Sequence, residues 1–517
     1  MTIPTGILLL VLSLGVFLLQ NKLAKGYSII LLLSAIFYNL LVTPNQIKFD
    51  FIGFNIDLFK YNDFSYLISF AFLIFGLLSL IFVWSKKKDK YFYIFAIWQI
   101  GAAVSILSVN DFLSYFVFWE IITLSSVLLL LKDGYLDQAK YYFTFHIAGT
   151  VLLLIGIGIN YSQTGTMTLE IMSGYTFFLL AIMIKGAALP FHLWLISVYP
   201  EVDLKTTVIL SAYTSKVGIF SLYLLLPNLD LQVVGGLIAV IGVLYALKQH
   251  RMSRLLSFHL VSQMGYVIAG IGSQYSIGQL GGVYHLINNI FYKGLLFMVA
   301  AVLVEEFDTD DLMIIKGRGR LKPLLFIITI VASASIAGVP FFNGYISKLL
   351  IKKGLSNSVA GYLLMLAGIG TALSFIKVLY YGFITKIEDK EISKKLSGKH
   401  IIPMIILSSL CIILGIYPEV ILSFFQVKLK AFGSHYLWKG VWPILTALLL
   451  FKVMYERLNK FIITITPEIE LKKYILPPLE RSLKKLRLAH SGNLQHYLIW
   501  ILSTLVFLWG YMLIQLR

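Results

Sequence analysis

The sequence predicts an all-α polytopic membrane protein of about sixteen transmembrane helices. Of its 517 residues, 58% are hydrophobic and only 13% are charged, and the mean hydropathy is +0.84. Soluble globular chains are close to half apolar and about 25% charged, so this chain requires a lipid environment. Its apolar stretches follow one another with short connections, which indicates one continuous membrane domain.

A helix needs about 20 apolar residues to cross the hydrocarbon of a bilayer. Sixteen stretches of the sequence approach that length. In chain order they lie at residues 4–20, 27–43, 65–84, 91–109, 111–131, 142–160, 174–195, 205–226, 232–247, 255–272, 278–304, 323–350, 359–384, 401–425, 438–454 and 496–515.

Positive charge alternates between successive loops. One set of loops is basic throughout and includes Lys86 to Lys90, Lys248 to Arg254 and the stretch from Arg457 to Arg487. The other set has only seven internal cations, which are Lys48, Lys60, Lys352, Lys353, Lys428, Lys430 and Lys439. Because cytoplasmic loops are enriched in Lys and Arg, we expect the basic loops inside and both termini outside. This bias accounts for the net charge of +18 without a nucleic-acid partner.

The segment at 455–495 differs from the other loops because it is long, basic and interrupted by prolines. Within it, Leu479, Leu483 and Leu486 form one apolar stripe with cations opposite. This pattern predicts a short cytoplasmic amphipathic segment along the membrane surface before the final helix at 496–517. A solvated basic linker is the alternative.

Ionisable residues at bilayer depth are expensive, so each one is a functional candidate. The main candidates are Glu120, Lys185, Lys216, His285, Lys293 and Lys348, and the secondary ones are His259, Asn289 and Lys377. Lys377 alone is also explained by snorkelling to the surface, and His285 alone by capping of a carbonyl. As a set in one bundle they favour a path for ions. His285, Asn289 and Lys293 are spaced four apart and share one helix face.

Two predicted spans contain helix breakers. Pro190 follows Lys185, whereas Gly338, Pro340 and Gly344 precede Lys348. Broken helices within a bilayer are tolerated where the freed backbone groups line a cavity or are buried in protein. A pair of them in corresponding places of two halves indicates a transport site.

The spacing of the lysines predicts an internal repeat. Lys216 follows Lys185 by 31 positions, and Lys377 follows Lys348 by 29. Five helices at 91–226 would then be repeated, inverted, by five more at 232–384. The remaining parts are an N-terminal three-helix segment at 1–90 and accessory helices at 401–454.

A buried lysine next to a carboxylate is a candidate proton switch. Burial favours the neutral amine, whereas a nearby carboxylate favours the ammonium, so a Glu120–Lys185 pair that opens and closes would release and bind a proton. Sodium is less favoured because it prefers oxygen ligands and Glu120 is the single acidic residue predicted deep in the bilayer; backbone carbonyls at the breaks remain open as ligands.

Cys411 is the only cysteine, which excludes iron–sulfur ligation by this chain alone. We expect no cofactor, no metal and no catalytic chemistry of its own.

Six stretches of the sequence together resemble the antiporter-like subunits shared by respiratory complex I, Mrp-type sodium/proton antiporters and membrane-bound hydrogenases. They are Phe118 to Glu120, Lys185 to Leu195, Leu210 to Gly218, Arg254 to Tyr266, His285 to Phe297 and Ser335 to Lys348. The stretch around Lys216 is most similar to the Mrp D-type and hydrogenase members. The resemblance implies that Glu120 and Lys185 form a modulating pair, that Lys216, His285 and Lys293 carry protons across the middle, and that Lys348 gates the far exit. Asn289 stands where many members have a further histidine, which weakens a direct relay between His285 and Lys293 and predicts a bridging water.

These features predict a proton-translocating subunit of a multisubunit complex in a prokaryotic plasma membrane, with or without exchange for Na⁺. Its partners would be other membrane subunits, and it would belong to an ion-translocating oxidoreductase or a cation/proton antiporter. The alternatives are a subunit that energises uptake of an anion such as bicarbonate through a partner, a membrane enzyme acting on lipid, and a non-conducting scaffold.

Overall fold

The computed structural model describes residues 3–41, 47–51, 54–58, 62–84, 88–227, 229–386 and 397–465. These ranges are almost entirely helical. The elements are α1 (Thr5–Ser13), α2 (Asn21–Leu41), β1 (Ile47–Phe51), β2 (Phe54–Leu58), α3 (Asp63–Phe82), α4 (Lys90–Ile106), α5 (Phe112–Lys132), α6 (Leu136–Thr164), α7 (Tyr175–Lys185), α8 (Leu193–Val198), α9 (Leu204–Leu225), α10 (Gln232–Lys248), α11 (Met252–Ile271), α12 (Ser276–Phe307), α13 (Leu312–Ile315), α14 (Pro323–Ala337), α15 (Asn343–Gly354), α16 (Val359–Leu379), α17 (Gly398–Ile416), α18 (Glu419–Leu422) and α19 (Ser434–Ile465).

Nine helices within the described ranges are long and apolar enough to cross a membrane, namely α2, α3, α5, α6, α9, α12, α16, α17 and α19. Five more are apolar but shorter, namely α1 with the 3₁₀ turn that follows it, α4, α7, α10 and α14. Each stretch predicted from the sequence as far as residue 454 overlaps one helix or a pair of shorter ones. The stretch at 496–515 and the leucine stripe at 479–486 lie outside the described residues.

A two-stranded antiparallel hairpin departs from the all-α prediction. β1 and β2 pair from Ile47 with Leu58 to Phe51 with Phe54. Both strands alternate apolar and polar residues, which is the period of a strand and not of a helix. The hairpin is fixed to the chain before α5, because the Asn110 side chain donates to the Asp57 carboxylate at 2.9 Å.

Two helix ends also differ from the predicted stretches. α17 ends at Ile416 and not near residue 425, because Pro418 disfavours helical backbone at the residue before it. α19 continues past residue 454 to Ile465, so the first part of the predicted amphipathic segment continues this helix.

Polar residues at the first positions determine where several helices begin. Asn62, Asp89, Asp111 and Ser358 precede α3, α4, α5 and α16, and each side chain accepts a hydrogen bond from a backbone N–H of the first turn. Such caps satisfy donors that have no partner within the helix. They therefore define the helix starts between apolar stretches.

Helices α9 and α12 form the centre of the bundle. α12 has 32 residues and packs against α3, α9, α11, α14, α15 and α17. A helix that is apolar all round is buried, and both helices have almost no exposed face between their ends. The charged groups that they carry are consequently inside protein.

Small residues allow neighbouring helices to approach closely. A Cβ atom at Gly235 of α10 would lie 2.3 Å from the backbone nitrogen of Ala269, and one at Gly265 of α11 would lie 2.5 Å from that of Ala239. Close backbone approach through small residues is how membrane helices gain packing without a hydrophobic driving force. The α10–α11 contact is accordingly one of the tightest in the bundle.

Both interrupted spans have their break between two half-helices. α7 ends at Lys185 and α8 begins at Leu193, with Pro190 between them. α14 ends at Ala337, Gly338 follows with φ +83°, and α15 begins at Asn343. Gly344 belongs to α15 and not to the break itself. A Cβ atom there would lie 1.8 Å from the Ser335 carbonyl oxygen, so Gly344 lets the two half-helices touch.

We predict that Gly344→Ala destabilises the protein by about 1–3 kcal/mol, the usual effect of overpacking. The added methyl group overlaps a backbone atom, which has no other rotamer to adopt. The measurement is the thermal midpoint at which the detergent-solubilised protein loses its monodisperse peak. Gly158→Ala is the matched control, because nothing lies within 4 Å of a Cβ atom at that helical glycine. Equal midpoints for the two variants would contradict the prediction.

Candidate proton path

The six main candidates from the sequence lie on helices that contact one another in series. Glu120 is on α5, Lys185 ends α7, Lys216 is on α9, His285 and Lys293 are on α12, and Lys348 is on α15. α5 and α7 both contact α9, α9 contacts α12, and α12 contacts α15. The five basic side chains are at most 4% exposed, and Glu120 is partly buried. They form one buried series through the bundle.

Lys185 is held by α5. Its Nζ donates to the Trp119 carbonyl oxygen at 2.8 Å and to Thr123 Oγ1 at 2.9 Å, and it lies 4.1 Å from the centroid of the Trp119 ring. A cation over an indole face is attracted to the ring, most strongly where water is excluded. The pocket for this ammonium is therefore made by one turn of α5.

Glu120 follows Trp119 on the same turn but bonds elsewhere. Its Oε1 accepts a hydrogen bond from the Thr150 hydroxyl of α6. The carboxylate and the Lys185 ammonium interact through space, but each is bonded to another group. The two residues predicted as a pair are therefore close to each other in this conformation, but each is hydrogen-bonded to a different partner.

Lys216 turns back along its own helix. Its Nζ donates to the Ser211 carbonyl oxygen at 2.5 Å. α9 touches the end of α7 close by, since a Cβ atom at Gly218 would lie 2.5 Å from the backbone nitrogen of Gly186. Two glycines therefore bring the helix of Lys216 against the residue that follows Lys185.

His285 is the centre of a buried polar cluster. Its Nδ1 lies 2.9 Å from Ser347 Oγ, and its Nε2 lies 3.0 Å from Gln263 Oε1 and 3.2 Å from the Tyr292 hydroxyl. The Asn289 side chain donates to the same hydroxyl at 3.1 Å. Tyr292 is thus the group that joins His285 to Asn289.

Lys293 reaches α11 and not His285. Its Nζ donates to the Leu256 carbonyl oxygen at 2.8 Å and lies 5.9 Å from the Phe297 ring centroid. The charges of Lys216 and Lys293 interact across the α9–α12 contact. Lys293 is therefore the link between the first set of helices and the second.

Lys348 occupies a site similar to that of Lys185. Its Nζ donates to the Ile336 carbonyl oxygen at 2.6 Å, in the last turn of α14, and lies 4.7 Å from the Tyr266 ring centroid. The last carbonyls of a helix have no partner within it. The break after α14 consequently supplies the acceptor for this lysine.

The secondary candidates have different surroundings. His259 Nε2 lies 2.8 Å from Ser374 Oγ, and the charges of Lys293, Lys348 and Lys377 act on the ring. Lys377 donates to the carbonyl oxygens of Leu247 and Gln249 at 2.7 and 2.6 Å. These carbonyls end α10, so Lys377 caps a helix C-terminus, where a cation is favoured.

One feature is common to all the buried lysines of this series. Each amino group donates to at least one main-chain carbonyl oxygen. An ammonium has three N–H donors, and a neutral amine keeps two of them, so this bond survives when a proton leaves. The sites can therefore hold a lysine in either protonation state.

Comparison with known proteins agrees with this architecture. Residues 109–377, just over half of the chain, match the model of the transmembrane family of NADH:quinone oxidoreductase and Mrp antiporter subunits. The chain belongs to this family. It is 26% identical over 371 residues to the D-type subunit of a Na⁺/H⁺ antiporter from Alkalihalophilus pseudofirmus, and the match covers 66% of this chain and 75% of that relative.

Two solved structures show the fold of this antiporter-like subunit. One is an archaeal membrane-bound sulfane sulfur reductase, with a TM-score of 0.78 and 21% identity over 98% of this chain and 99% of the other. The second is the Mrp complex of Dietzia sp. DQ12-45-1b, with a TM-score of 0.74 and 19% identity over 89% and 99%. The chain is accordingly a multi-pass membrane protein with the fold of a subunit of such complexes. The family match contains every candidate from Glu120 to Lys377.

Sequence reasoning missed several members of the buried network. His146 of α6 is 1% exposed and packs against Tyr142 and Trp194, with ring centroids 4.1 and 4.7 Å away. Among the described residues its Nε2 has no hydrogen-bond partner. The signal was a lone histidine in the apolar stretch 142–160. Tyr292 and Gln263 carried no such signal, because an uncharged polar residue within a helix is common.

A cavity of about 810 Å³ opens at the end of α12, beside loops of the basic set. Its rim holds paired charges, including Lys88 with Asp203 at 2.9 Å and Arg251 with Asp310 at 3.2 Å. Ala301 and Val304 line it. Lys293, Phe297, Ala301 and Val304 follow each other at steps of four, four and three residues, which places them on one helix face. Phe297 therefore stands between the cavity and Lys293.

We predict that Tyr292→Phe slows transport through this subunit by about two- to tenfold, because it removes the hydroxyl that joins His285 to Asn289 and a hydrogen bond contributes about 0.5–1.5 kcal/mol. The measurement is the initial rate of fluorescence quenching in inverted vesicles. Tyr284→Phe is the control. That tyrosine is equally buried on the same helix, but its hydroxyl donates to the Leu414 carbonyl oxygen. If both variants transport at the same rate, the bridging role of Tyr292 is wrong.

Proposed function

We propose that this antiporter-like subunit moves protons across the membrane along its buried lysines and histidine, within a multisubunit complex and with Na⁺ as the ion for which they are exchanged. The observation that carries the proposal is the series of buried basic residues on helices that contact one another, each lysine held by a main-chain carbonyl oxygen. Charged residues in a bilayer persist where they serve ion movement. The name of the Alkalihalophilus relative, a Na⁺/H⁺ antiporter component, supports the choice of ions.

Protons enter from the inner side through the 810 Å³ cavity and pass Phe297 to reach Lys293. Lys216, His285 and Lys293 carry them across the middle, with His259 and Asn289 beside the route. Lys348 controls release at the far end. Lys377, which caps α10, stabilises the inner end of its helix pair.

Glu120 sets the proton affinity of Lys185. When a carboxylate approaches an ammonium to about 4 Å, the attraction is about 4 kcal/mol at an effective dielectric constant of about 20. That energy changes proton affinity by about a thousandfold. The separated arrangement, with Glu120 bonded to Thr150 and Lys185 to Trp119, is the state that favours release.

The chain consists of two inverted five-helix repeats at 91–226 and 232–384, within a layout of sixteen spans. Helix contacts support the repeat: the pairs α4–α5, α5–α6, α6–α7, α7–α9 and α4–α9 have counterparts in α10–α11, α11–α12, α12–α14, α14–α16 and α10–α16. A three-helix segment at 1–90 precedes the repeats. Accessory helices at 401–454 follow them, and the last of these, α19, extends to Ile465. The rest of the amphipathic segment predicted at 455–495 and the last helix predicted at 496–517 lie outside the described residues.

The complex resides in a prokaryotic plasma membrane, with the basic loops inside and both termini outside. Other membrane subunits are its partners, as the solved relatives in Mrp and sulfane sulfur reductase complexes support. The energy for transport comes from those partners or from a sodium gradient.

The proposal is tested with Lys185→Met in inverted vesicles that contain equal amounts of assembled complex. We expect proton pumping to fall at least tenfold, because methionine fills the site but cannot carry a proton. Lys140→Met is the control, since that exposed lysine of α6 pairs with Asp137 on the surface. Pumping at the wild-type rate by Lys185→Met would exclude the lysine series as the route.

The orientation is tested in a Cys411→Ser background, which removes the single native cysteine. Lys430→Cys, in an outer loop, should react with a membrane-impermeant maleimide added to intact cells. Lys140→Cys, at the start of α6 on the inner side, should react only after permeabilisation. The reverse pattern of labelling would show that the termini face the cytoplasm.

A further inference from the structure

A second cavity lies at the break between α14 and α15, where the start of α19 closes it. It measures about 250 Å³. We call it the basic pocket, defined by Lys348, Lys352, Lys353, His435 and Lys439 among its lining residues. Lys348, which is 4% exposed, is its deepest charged group.

The basic pocket contains positive charge without compensation. No aspartate or glutamate is among its lining residues, and Lys352, Lys353 and Lys439 take part in none of the ion pairs found within the described ranges. The 810 Å³ cavity differs in this respect, because five carboxylates line it and three of its four cations, Lys88, Lys205 and Arg251, are paired with one. Like charges brought together in a partly buried cleft repel one another, and a bound anion would relieve that repulsion.

The position of these lysines on the outer side is also unusual. Of the seven cations that the sequence assigned to outer loops, three line this pocket from the ends of α15 and α19, and Lys428 and Lys430 lie in the loop that precedes α19. Outer loops are normally poor in lysine. The C-terminal end of α15 favours Lys352 and Lys353 through the helix dipole, but this effect does not explain Lys439 and His435, which come from α19.

The size and surroundings of the pocket indicate what it binds. At about 30 Å³ per water molecule, the volume equals roughly eight waters, which suits a small oxyanion and excludes a folded segment. Gly338 and Gly440 line it and leave room beside the lysines. Tyr436 also lines it, and Trp438, 60% exposed, precedes Lys439. Tryptophan and tyrosine are enriched where lipid headgroups begin.

We propose that the basic pocket binds a phosphate group, supplied by the headgroup of an anionic lipid in the outer leaflet. Lysine ammonium groups bind phosphate as point charges, and four lysines and a histidine line this space. The binding does not depend on the transport role. Its consequence for transport does rest on the proposed function: a phosphate here would set the charge that faces Lys348 at the end of the proton path.

The test compares a triple variant, Lys352→Gln with Lys353→Gln and Lys439→Gln, with a double control, Lys428→Gln with Lys430→Gln. The control removes two exposed lysines from the same side that do not line the pocket. Each complex is purified intact, stripped of lipid with detergent and titrated with phosphatidylglycerol, phosphatidylcholine or inorganic phosphate. Native mass spectrometry counts bound lipid, and thermal unfolding reports binding of phosphate.

We expect wild type and control to retain one more phosphatidylglycerol than the triple variant, with at least about tenfold weaker binding in the variant, because hydrogen bonds to charged groups are lost. A second outcome is that inorganic phosphate stabilises the wild type but not the triple variant, while both bind the same number of lipids. This outcome supports the phosphate site and makes free phosphate its source. Replacement of the same three lysines by arginine should preserve binding, which separates lost charge from lost folding. The proposal is overturned if the triple variant binds phosphatidylglycerol and phosphate as wild type does. It is also overturned if the triple arginine variant loses as much binding as the triple glutamine variant. Because the readout is binding, this result is independent of the outcome for Lys185→Met.

Discussion

Main-chain carbonyl oxygens make the buried lysines of this protein possible. Lys185, Lys216, Lys293 and Lys348 each donate to one at 2.5–2.8 Å. An uncompensated ammonium at this depth would be very unfavourable, and a carboxylate beside each lysine would fix its charge. A carbonyl oxygen accepts from the ammonium and from the neutral amine alike, so it stabilises the side chain without holding the proton.

This requirement explains why the bundle contains broken and tightly packed helices. The end of α14 supplies a free carbonyl to Lys348, and the end of α10 supplies two to Lys377. For other lysines the acceptor is a main-chain carbonyl oxygen of a neighbouring helix, which must therefore lie close. α5 provides this oxygen for Lys185, and α11 provides it for Lys293. The close contact of Gly218 with Gly186 gives one example of the small residues that allow such approach.

The two ends of the buried series differ in their electrostatics. The 810 Å³ cavity has carboxylates and cations in pairs, which compensate one another's charge. The charged side chains that line the basic pocket are all basic. The field at Lys348 therefore depends on what occupies that pocket, whereas Lys293 lies beside the Phe297 ring, 5.9 Å from its centroid.

The sequence by itself determined the positions of most helices within the described ranges, the two interruptions and the burial of Lys185, Lys216, His285, Lys293 and Lys348, because a bilayer requires long apolar stretches and makes charges within them conspicuous. It did not reveal the hairpin at Ile47–Leu58 or the contribution of His146 and Tyr292. It also predicted that Glu120 and Lys185 belong together but not that each bonds to another group in this conformation. Every residue has a carbonyl and many have hydroxyl groups, so the sequence cannot specify which of them meets a given lysine. Only helix packing decides that, since the acceptor is chosen by distances of a few ångströms between segments far apart in the chain.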